Sequence, residues 1–218
     1  MKKRPVKTFF RKYFPYPFLV VRALKLMFSQ KSYLRQSGYL LSSRERRPCS
    51  ADGGPLPWMN YGVIHFLQAR LQGDLKLFEY GSGFSTRYYA ERVGEVTSVE
   101  SSREWYDLIG PTLPANVELI HADTGDGYIQ AIAGQGQQYD VVVVDGRDRV
   151  DCVKAALPCL SASGVLLLDD SSRERYAPAV AHMHEAGFRS LEFVGLKPGS
   201  IDAHHSTLFY RPQNCLGI

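Results

Sequence analysis

One segment, Leu75-Lys-Leu-Phe-Glu-Tyr-Gly-Ser-Gly-Phe-Ser85, constrains the fold of this chain more than any other part of the sequence. Its apolar start predicts a strand that is buried on both faces, and Gly81 and Gly83 end that strand in a tight turn. A helix and a second strand, Val96 to Glu100, follow. Glu100 comes 19 residues after Gly81, close to the roughly 20 residues that separate a glycine turn from the acid that binds ribose hydroxyls. The segment therefore predicts a strand, turn, helix and strand with a ligand at the strand ends.

The turn departs from the pattern that binds phosphate. That pattern is G-x-G-x-x-G, and Thr86 stands where its third glycine belongs. Glu79 comes just before the turn. An anionic side chain there is poorly placed beside a pyrophosphate and well placed near a cationic ligand.

The stretch Glu79-Tyr-Gly81-Ser-Gly83-Phe-Ser85 resembles the first motif of class I S-adenosylmethionine-dependent methyltransferases, an acid, any residue, then Gly-x-Gly-x-Gly. Serine replaces the last glycine. The resemblance covers roughly residues 56–211. It implies that S-adenosylmethionine is the cofactor, that Glu100 binds its ribose and that Asp123 lies on its adenine side. The residues implied for the methionine half are Glu79, Gly81, Ser82, Gly83 and Ser85, with Asp145 orienting the methionine group.

Apolar runs that alternate with helical segments predict the fold. After a predicted amphipathic helix at 57–71, strands are expected at 75–80, 96–100, 117–121, 139–145 and 165–169. Two more, at 188–195 and 206–211, have no helical stretch between them and favour an antiparallel edge. The predicted fold class is α/β, with a doubly wound, mostly parallel seven-stranded sheet.

The charge of the chain is divided unevenly between its two parts. Residues 1–50 hold thirteen Lys or Arg and one acid, for +12, while residues 51–218 hold thirteen basic and twenty-one acidic side chains, for −8. We therefore divide the chain into a basic N-terminal helical arm with a linker, 1–56, and a cofactor-binding domain, 57–218. The linker is expected at 44–57.

Within the arm, the apolar stretch at 14–28 is interrupted by Arg22 and Lys25. It is shorter than the roughly 20 residues that a membrane span needs, and no signal-peptide cleavage site follows it. Aromatic and aliphatic residues interleaved with basic ones are typical of a helix that lies on anionic lipid. Peripheral contact of residues 1–30 with an anionic membrane is one interpretation. Packing of the arm on the domain, or a partly disordered basic tail, is the other. No base-reading motif accompanies the arm, so specific nucleic-acid recognition is not expected.

The cysteines give no sign of a disulfide framework or a zinc site. The chain has four of them, Cys49, Cys152, Cys159 and Cys215, without a C-x-x-C pair or tight spacing. Such cysteines suit a reducing compartment, and we expect a cytoplasmic protein, attached at the inner membrane face if the arm contacts lipid.

Carboxylates follow the fourth and fifth predicted strands. Asp145 ends one, and Asp169 and Asp170 end the other. Strand ends meet at one edge of such a sheet, where clustered anions need a counter-charge, and Mg²⁺ is a natural choice. The arrangement resembles metal-dependent O-methyltransferases of the catechol O-methyltransferase type, which implies Asp145, Asp169 and Asp170 as metal ligands. That family has a catalytic lysine three residues after the first Asp, where this chain has Asp148.

The candidates for the general base are Asp148, His204 and His205. Arg147 and Arg149 are alternative binders of an anionic acceptor. The sequence predicts O-methylation of a small-molecule or glycan hydroxyl, with assistance from Mg²⁺ if the carboxylates bind it. Two other interpretations stay open: an NAD-dependent oxidoreductase, and a catalytically idle binding module that uses the basic arm.

Overall fold

Seven strands form one sheet in the computed structural model, which describes residue 9 and residues 12–218. In chain order they are β1 Lys76–Tyr80, β2 Glu95–Glu100, β3 Val117–His121, β4 Tyr139–Val144, β5 Leu160–Asp169, β6 Arg189–Leu196 and β7 Ala203–Tyr210. Their spatial order is β3-β2-β1-β4-β5-β7-β6. The first five are parallel, and β7 is antiparallel to both β5 and β6. The predicted fold class and its antiparallel edge are confirmed.

Helices cover both faces of the sheet. The described α-helices are α1 Pro15–Phe28, α2 Tyr33–Gln36, α3 Tyr39–Glu45, α4 Tyr61–Gln68, α5 Phe84–Ala90, α6 Arg103–Ile109, α7 Asp126–Ile129, α8 Arg149–Ala156 and α9 Ala177–Glu185. Within residues 9 and 12–218, no helix is both long enough and apolar enough to cross a bilayer.

Successive residues of the central strands point to opposite faces and build two cores. Val142 and Val144 of β4 pack in one core with Cys152 of α8. Val141 and Val143 pack in the other, with side chains of α4 and α5. This burial on both faces explains why β4 reads as a continuous run of valines rather than an alternating pattern.

The predicted strands match the observed ones closely, and the main differences have local causes. Strand β5 begins at Leu160, five residues before the predicted start (165 − 160), because Leu160 pairs with Tyr139 of β4 across a register shift. The helix predicted at 57–71 is α4, which begins after Asn60. The Asn60 side chain accepts from the Val63 backbone N–H at 3.0 Å and donates to the Phe193 carbonyl at 3.1 Å. Asn60 thus caps α4 and ties it to β6.

The segment predicted as a linker packs on the domain instead. Cys49 and Leu56 are buried, and Leu56 belongs to the core shared by α4 and α5. Ser42 of α3 donates to the Cys49 carbonyl at 2.9 Å and accepts from its N–H at 3.0 Å. Part of the arm at 1–30 lies outside the described residues, namely positions 1–8, 10 and 11.

Candidate active site

A cleft of about 830 Å³ opens at the carboxyl ends of the parallel strands. It lies where the strand order reverses between β1 and β4, the usual ligand position in an open α/β sheet. The turn after β1, the end of β2 and the turn after β4 form its floor. Its outer wall comes from elsewhere in the chain and includes Pro48, Trp58 and the loop that contains Arg173, Arg175 and Tyr176.

Gly81 allows the turns after β1 and β4 to approach each other. Its φ is +92°, and a Cβ there would lie 2.8 Å from the Cα of Gly146. Gly146 itself has no room for a side chain, because a Cβ would overlap the Tyr128 hydroxyl. Gly83 is different: its Cβ would meet only the Trp105 indole nitrogen, at 3.9 Å. Gly81 is thus required by the protein's own packing, whereas Gly83 keeps the cleft open.

Three hydroxyl groups hold the Glu79 carboxylate beneath the glycine turn. Glu79 is fully buried and accepts from Ser85 Oγ, from Thr86 Oγ1 at 2.6 Å and from Ser98 Oγ at 3.0 Å. Burial raises the pKa of Glu79 to about 7, against the lowering effect of these hydrogen bonds. Glu79 therefore organises the turn from below and does not line the cleft.

Thr86 explains the departure from the three-glycine pattern. Its side chain is fully buried, and its Oγ1 accepts from the Gly83 backbone N–H at 2.8 Å while it donates to Glu79. A glycine at 86 could make neither bond. Thr86 therefore links the Gly83 backbone to the Glu79 carboxylate, which also accepts from Ser85. The two ends of the turn are held by the same carboxylate.

Glu100 presents its carboxylate to the cleft in a fixed orientation. Its two oxygens accept from the backbone N–H groups of Ser82 at 3.1 Å and Ser102 at 2.7 Å. The indole N–H of Trp105 donates to the Ser82 carbonyl at 2.8 Å, which holds the ring beside the turn. A carboxylate oxygen can accept more than one hydrogen bond, so each Glu100 oxygen can still accept a bond from a ligand in the cleft.

Arg149 binds the carboxyl ends of β4 and β5 together. Only 9% exposed, its guanidinium donates to the carbonyls of Asp145 at 2.8 Å, Gly146 at 3.0 Å and Asp169 at 2.6 Å. It also forms an ion pair with the Asp145 carboxylate at 2.8 Å. This residue is committed to the protein itself, which corrects the interpretation that Arg149 binds an anionic acceptor. Arg147, two residues earlier, is exposed and lines the cleft.

The carboxylates proposed as metal ligands have protein partners. Asp169 accepts from Ser206 Oγ at 2.6 Å, and burial raises its pKa. Asp170, at a left-handed φ of +53°, pairs with Arg173 at 2.6 Å and lies 3.7 Å from Arg149. Burial and the Asp169 carboxylate raise the pKa of Asp145, whereas Arg149 lowers it.

These residues do not fit a divalent cation. The Arg149 guanidinium occupies the space between Asp145 and Asp170 that a shared ion would need. Within the described residues, no three His, Cys, Asp or Glu side chains are grouped to hold a metal. The counter-charge that the sequence analysis assigned to Mg²⁺ is supplied here by arginine.

Of the three candidate bases, only Asp148 lines the cleft. It is exposed and its carboxylate accepts from the Gly125 N–H at 3.0 Å. His204 lies behind Asp170, with its Nδ1 3.5 Å from that carboxylate and its Nε2 bonded to Ser200 at 3.0 Å. His205 points to the other face of β7 and contacts Glu192 at 2.8 Å. Asp123 is exposed and does not line the cleft, so its place beside adenine stays a prediction.

Sequence reasoning missed Thr86, Ser98, Trp105, Tyr128 and Gly146. Thr86 carries a weak signal, since it stands three residues after Gly83, the position from which a side chain reaches back to a helix N-terminus. Trp105 and Tyr128 come from separate helices, and no spacing in the sequence joins them to the turn.

We expect Arg149→Met to destabilise the fold by about 3 to 5 kcal/mol, because it removes the partner of the half-buried Asp145 carboxylate and of three backbone carbonyls. The loss should be larger at neutral than at acidic pH, where Asp145 can take up a proton. The control is Arg147→Met, which removes an exposed guanidinium two residues away and should change stability by less than about 0.5 kcal/mol. Urea unfolding followed by circular dichroism measures both. Equal stability of the two variants would contradict the role of Arg149.

We also expect Glu79 to make the protein less stable as the pH rises. Its pKa is about 7 in the folded state and 4.5 when unperturbed, so between these values the folded state holds a proton that the unfolded chain has released. Stability therefore falls by about 3 kcal/mol from acidic to slightly alkaline pH. Glu79→Gln should remove this component, and the exposed Glu118→Gln should retain it. Unfolding free energies across the pH range test this, and identical curves for Glu79→Gln and the parent would refute it.

Neither a protein-family model nor a curated protein matches this sequence. Solved structures do match. Precorrin-6y C5,15-methyltransferase of Geobacter metallireducens superposes with a TM-score of 0.53 at 16% identity, over 68% of this chain and 87% of that chain. A methyltransferase structure from Streptococcus mutans in complex with SAH has a TM-score of 0.51 at 13% identity, over 72% of this chain and 100% of that chain.

Spermidine synthase of Thermotoga maritima also matches, with a TM-score of 0.54 at 10% identity, over 72% of this chain and 61% of that chain. Its name describes another reaction, so the fold by itself does not fix the chemistry. The similarities, together with the sheet order and its antiparallel edge, show that this chain has the Rossmann-like fold that these methyltransferases and the spermidine synthase share.

Proposed function

We propose that the protein is an S-adenosylmethionine-dependent methyltransferase that methylates a hydroxyl oxygen of a small-molecule or glycan acceptor. The observation that carries this proposal is the Glu100 carboxylate, held at the cleft by two backbone N–H groups and aligned with the glycine turn. A carboxylate with remaining acceptor capacity suits a vicinal diol. Methyltransferases among the structures with this fold support the reaction class.

The residues at the sheet edge fit the cofactor. Gly83 leaves open space where a Cβ would extend into the cleft, and Trp105 lies beside it. Glu100, on the neighbouring strand, would accept from the ribose hydroxyls. Bound there, S-adenosylmethionine supplies a methyl group on a positively charged sulfur. The Glu100 carboxylate at the floor favours a cationic ligand over a pyrophosphate.

The acceptor would occupy the outer half of the cleft. Trp58, Tyr176 and Arg173 border this half, and aromatic and guanidinium groups suit the faces and hydroxyls of a sugar. Asp148 is the cleft-lining base. Asp148 would accept the proton of the acceptor hydroxyl as that oxygen is methylated.

We expect Glu100→Gln to weaken S-adenosylmethionine binding about tenfold or more, because a charge-assisted hydrogen bond contributes about 1.5 to 3 kcal/mol. The control is Glu104→Gln, an exposed carboxylate four residues along the chain, which should bind like the parent. Calorimetric titration of both variants with S-adenosylmethionine and SAH measures this effect. Unchanged affinity in Glu100→Gln would remove the main support for the proposal.

The same titrations separate the alternative functions. An NAD-dependent oxidoreductase would bind NAD in place of S-adenosylmethionine, and an idle binding module would bind neither. For a methyltransferase, incubation with methyl-labelled cofactor and fractionated cell extract then identifies the acceptor class by where the label is found.

We infer that methyl transfer does not require Mg²⁺, because Arg149 and Arg173 already pair with the carboxylates of Asp145 and Asp170. Labelling should continue at the same rate in excess chelator. Calorimetric titration with Mg²⁺ should give the same heat for the parent and for Asp170→Asn, because no ion binds at this carboxylate. Loss of labelling in chelator, restored by Mg²⁺ or Mn²⁺, would instead support the metal-assisted mechanism that the sequence predicts.

A further inference from the structure

We propose that helix α1 (Pro15–Phe28) is a docking surface for an anionic lipid bilayer, on which it lies parallel to the membrane plane. This inference concerns where the protein acts and does not depend on the reaction at the cleft. It rests on the exposure of α1, on the arrangement of its apolar and basic side chains, and on the charge of the arm.

The apolar side chains of α1 have no place in the protein's own core. None of its 14 residues is buried, and neither hydrophobic core includes a described residue before Tyr39. The large exposed side chains of α1 are Tyr16 at 79%, Leu19 and Val20 at 58%, Val21 at 50%, Leu24 and Leu26 at 48%, Met27 at 47% and Phe28 at 70%. Contiguous apolar exposure of this extent marks an interaction surface.

The helix has two sides of different chemistry. At 100° per residue, Tyr16, Val20, Leu24 and Met27 fall on one side, and Arg22 and Lys25 fall on the opposite one, with Phe18 between them. A peripheral helix needs this arrangement, because its apolar side enters the acyl region while long basic side chains reach the headgroups.

The basic side chains converge where headgroups would lie. Lys12, Arg22, Lys25 and Lys31 all border one groove along α1, beside Phe18. None of the four forms an ion pair with a carboxylate of the described residues. The only acid among residues 1–50 is Glu45, which pairs with Arg44 at 2.8 Å. Four converging cations without anionic partners are complementary to a negatively charged surface.

The length of α1 excludes a crossing and permits surface binding. Fourteen residues span about 21 Å, less than the roughly 30 Å hydrocarbon thickness of a bilayer. A bilayer therefore explains the apolar side and the basic side together, whereas nucleic acid would use only the basic side.

The test is cosedimentation of the full-length protein with vesicles of phosphatidylcholine, alone or mixed equally with phosphatidylglycerol. Arg22→Glu/Lys25→Glu changes the basic side, and Val20→Glu/Leu24→Glu changes the apolar side. The matched controls, on the domain, are Arg87→Glu/Arg189→Glu and Leu108→Glu/Ile201→Glu, all at exposed positions. Each basic residue near the surface contributes about fivefold to partitioning.

We expect binding to the anionic vesicles that weakens at high salt, a loss of at least about tenfold in both α1 variants, and parental binding in both controls. Because α1 buries no residue, all variants should keep the parent's melting temperature and its affinity for S-adenosylmethionine. Equal binding to neutral and anionic vesicles, or binding unaffected by the α1 variants, would overturn the proposal.

Two other binding partners of α1, a second copy of the chain and nucleic acid, would give different results. If α1 pairs with a second copy of the chain, light scattering without lipid will show a dimer that Val20→Glu/Leu24→Glu dissociates. If α1 binds nucleic acid, the parent and the Val20→Glu/Leu24→Glu variant will bind duplex DNA equally. Only the Arg22→Glu/Lys25→Glu variant will lose DNA binding. Either result without vesicle binding, or a fall in melting temperature of the α1 variants, would refute membrane docking.

Discussion

The guanidinium of Arg149 is the interaction on which the cleft depends. It lies below the carboxyl ends of β4 and β5 and binds three carbonyls and one carboxylate. Those carbonyls belong to Asp145 and Gly146, which follow β4, and to Asp169, the last residue of β5. Arginine suits this position because its five donors have a fixed geometry and its charge persists at any physiological pH. The same group pairs with the Asp145 carboxylate and so weakens the repulsion among the acids at this edge of the sheet.

A second polar unit supports the other half of the cleft. Glu79, Thr86 and Ser98 join β1, α5 and β2 beneath the glycine turn, and the Gly83 N–H is bonded to Thr86. The turn is therefore held in place before any ligand binds. Preorganised groups of this kind bind a ligand with less loss of conformational freedom. Glu79 achieves this at a cost in stability, since its carboxylate is removed from water.

Sequence reasoning succeeded where the pattern is local. Buried strands such as β4 are visible as apolar runs, and the distance from Gly81 correctly places Glu100 at the cleft, where its role as a ribose ligand stays a prediction. It was less successful where the answer depends on contacts across the fold. In the sequence, Arg149 looks like a second exposed arginine beside Arg147. Only the contact between the ends of β4 and β5 in the fold shows that Arg149 is buried and Arg147 is exposed. The packing of Cys49 was missed for the same reason, because its partner, Ser42, lies in a segment that reads as an independent arm.

The floor and the outer wall of the cleft are built from different parts of the chain. The floor is made of turns at the ends of the sheet, where Gly81 and Gly146 leave no room for larger residues. The outer wall is made of Pro48, Trp58 and the loop after β5, which contribute few residues to the cores. A library confined to the outer wall could therefore vary which molecules the cleft binds while the turns of the floor stay unchanged. The architecture is in this sense modular, and it offers a defined region for redesigning specificity.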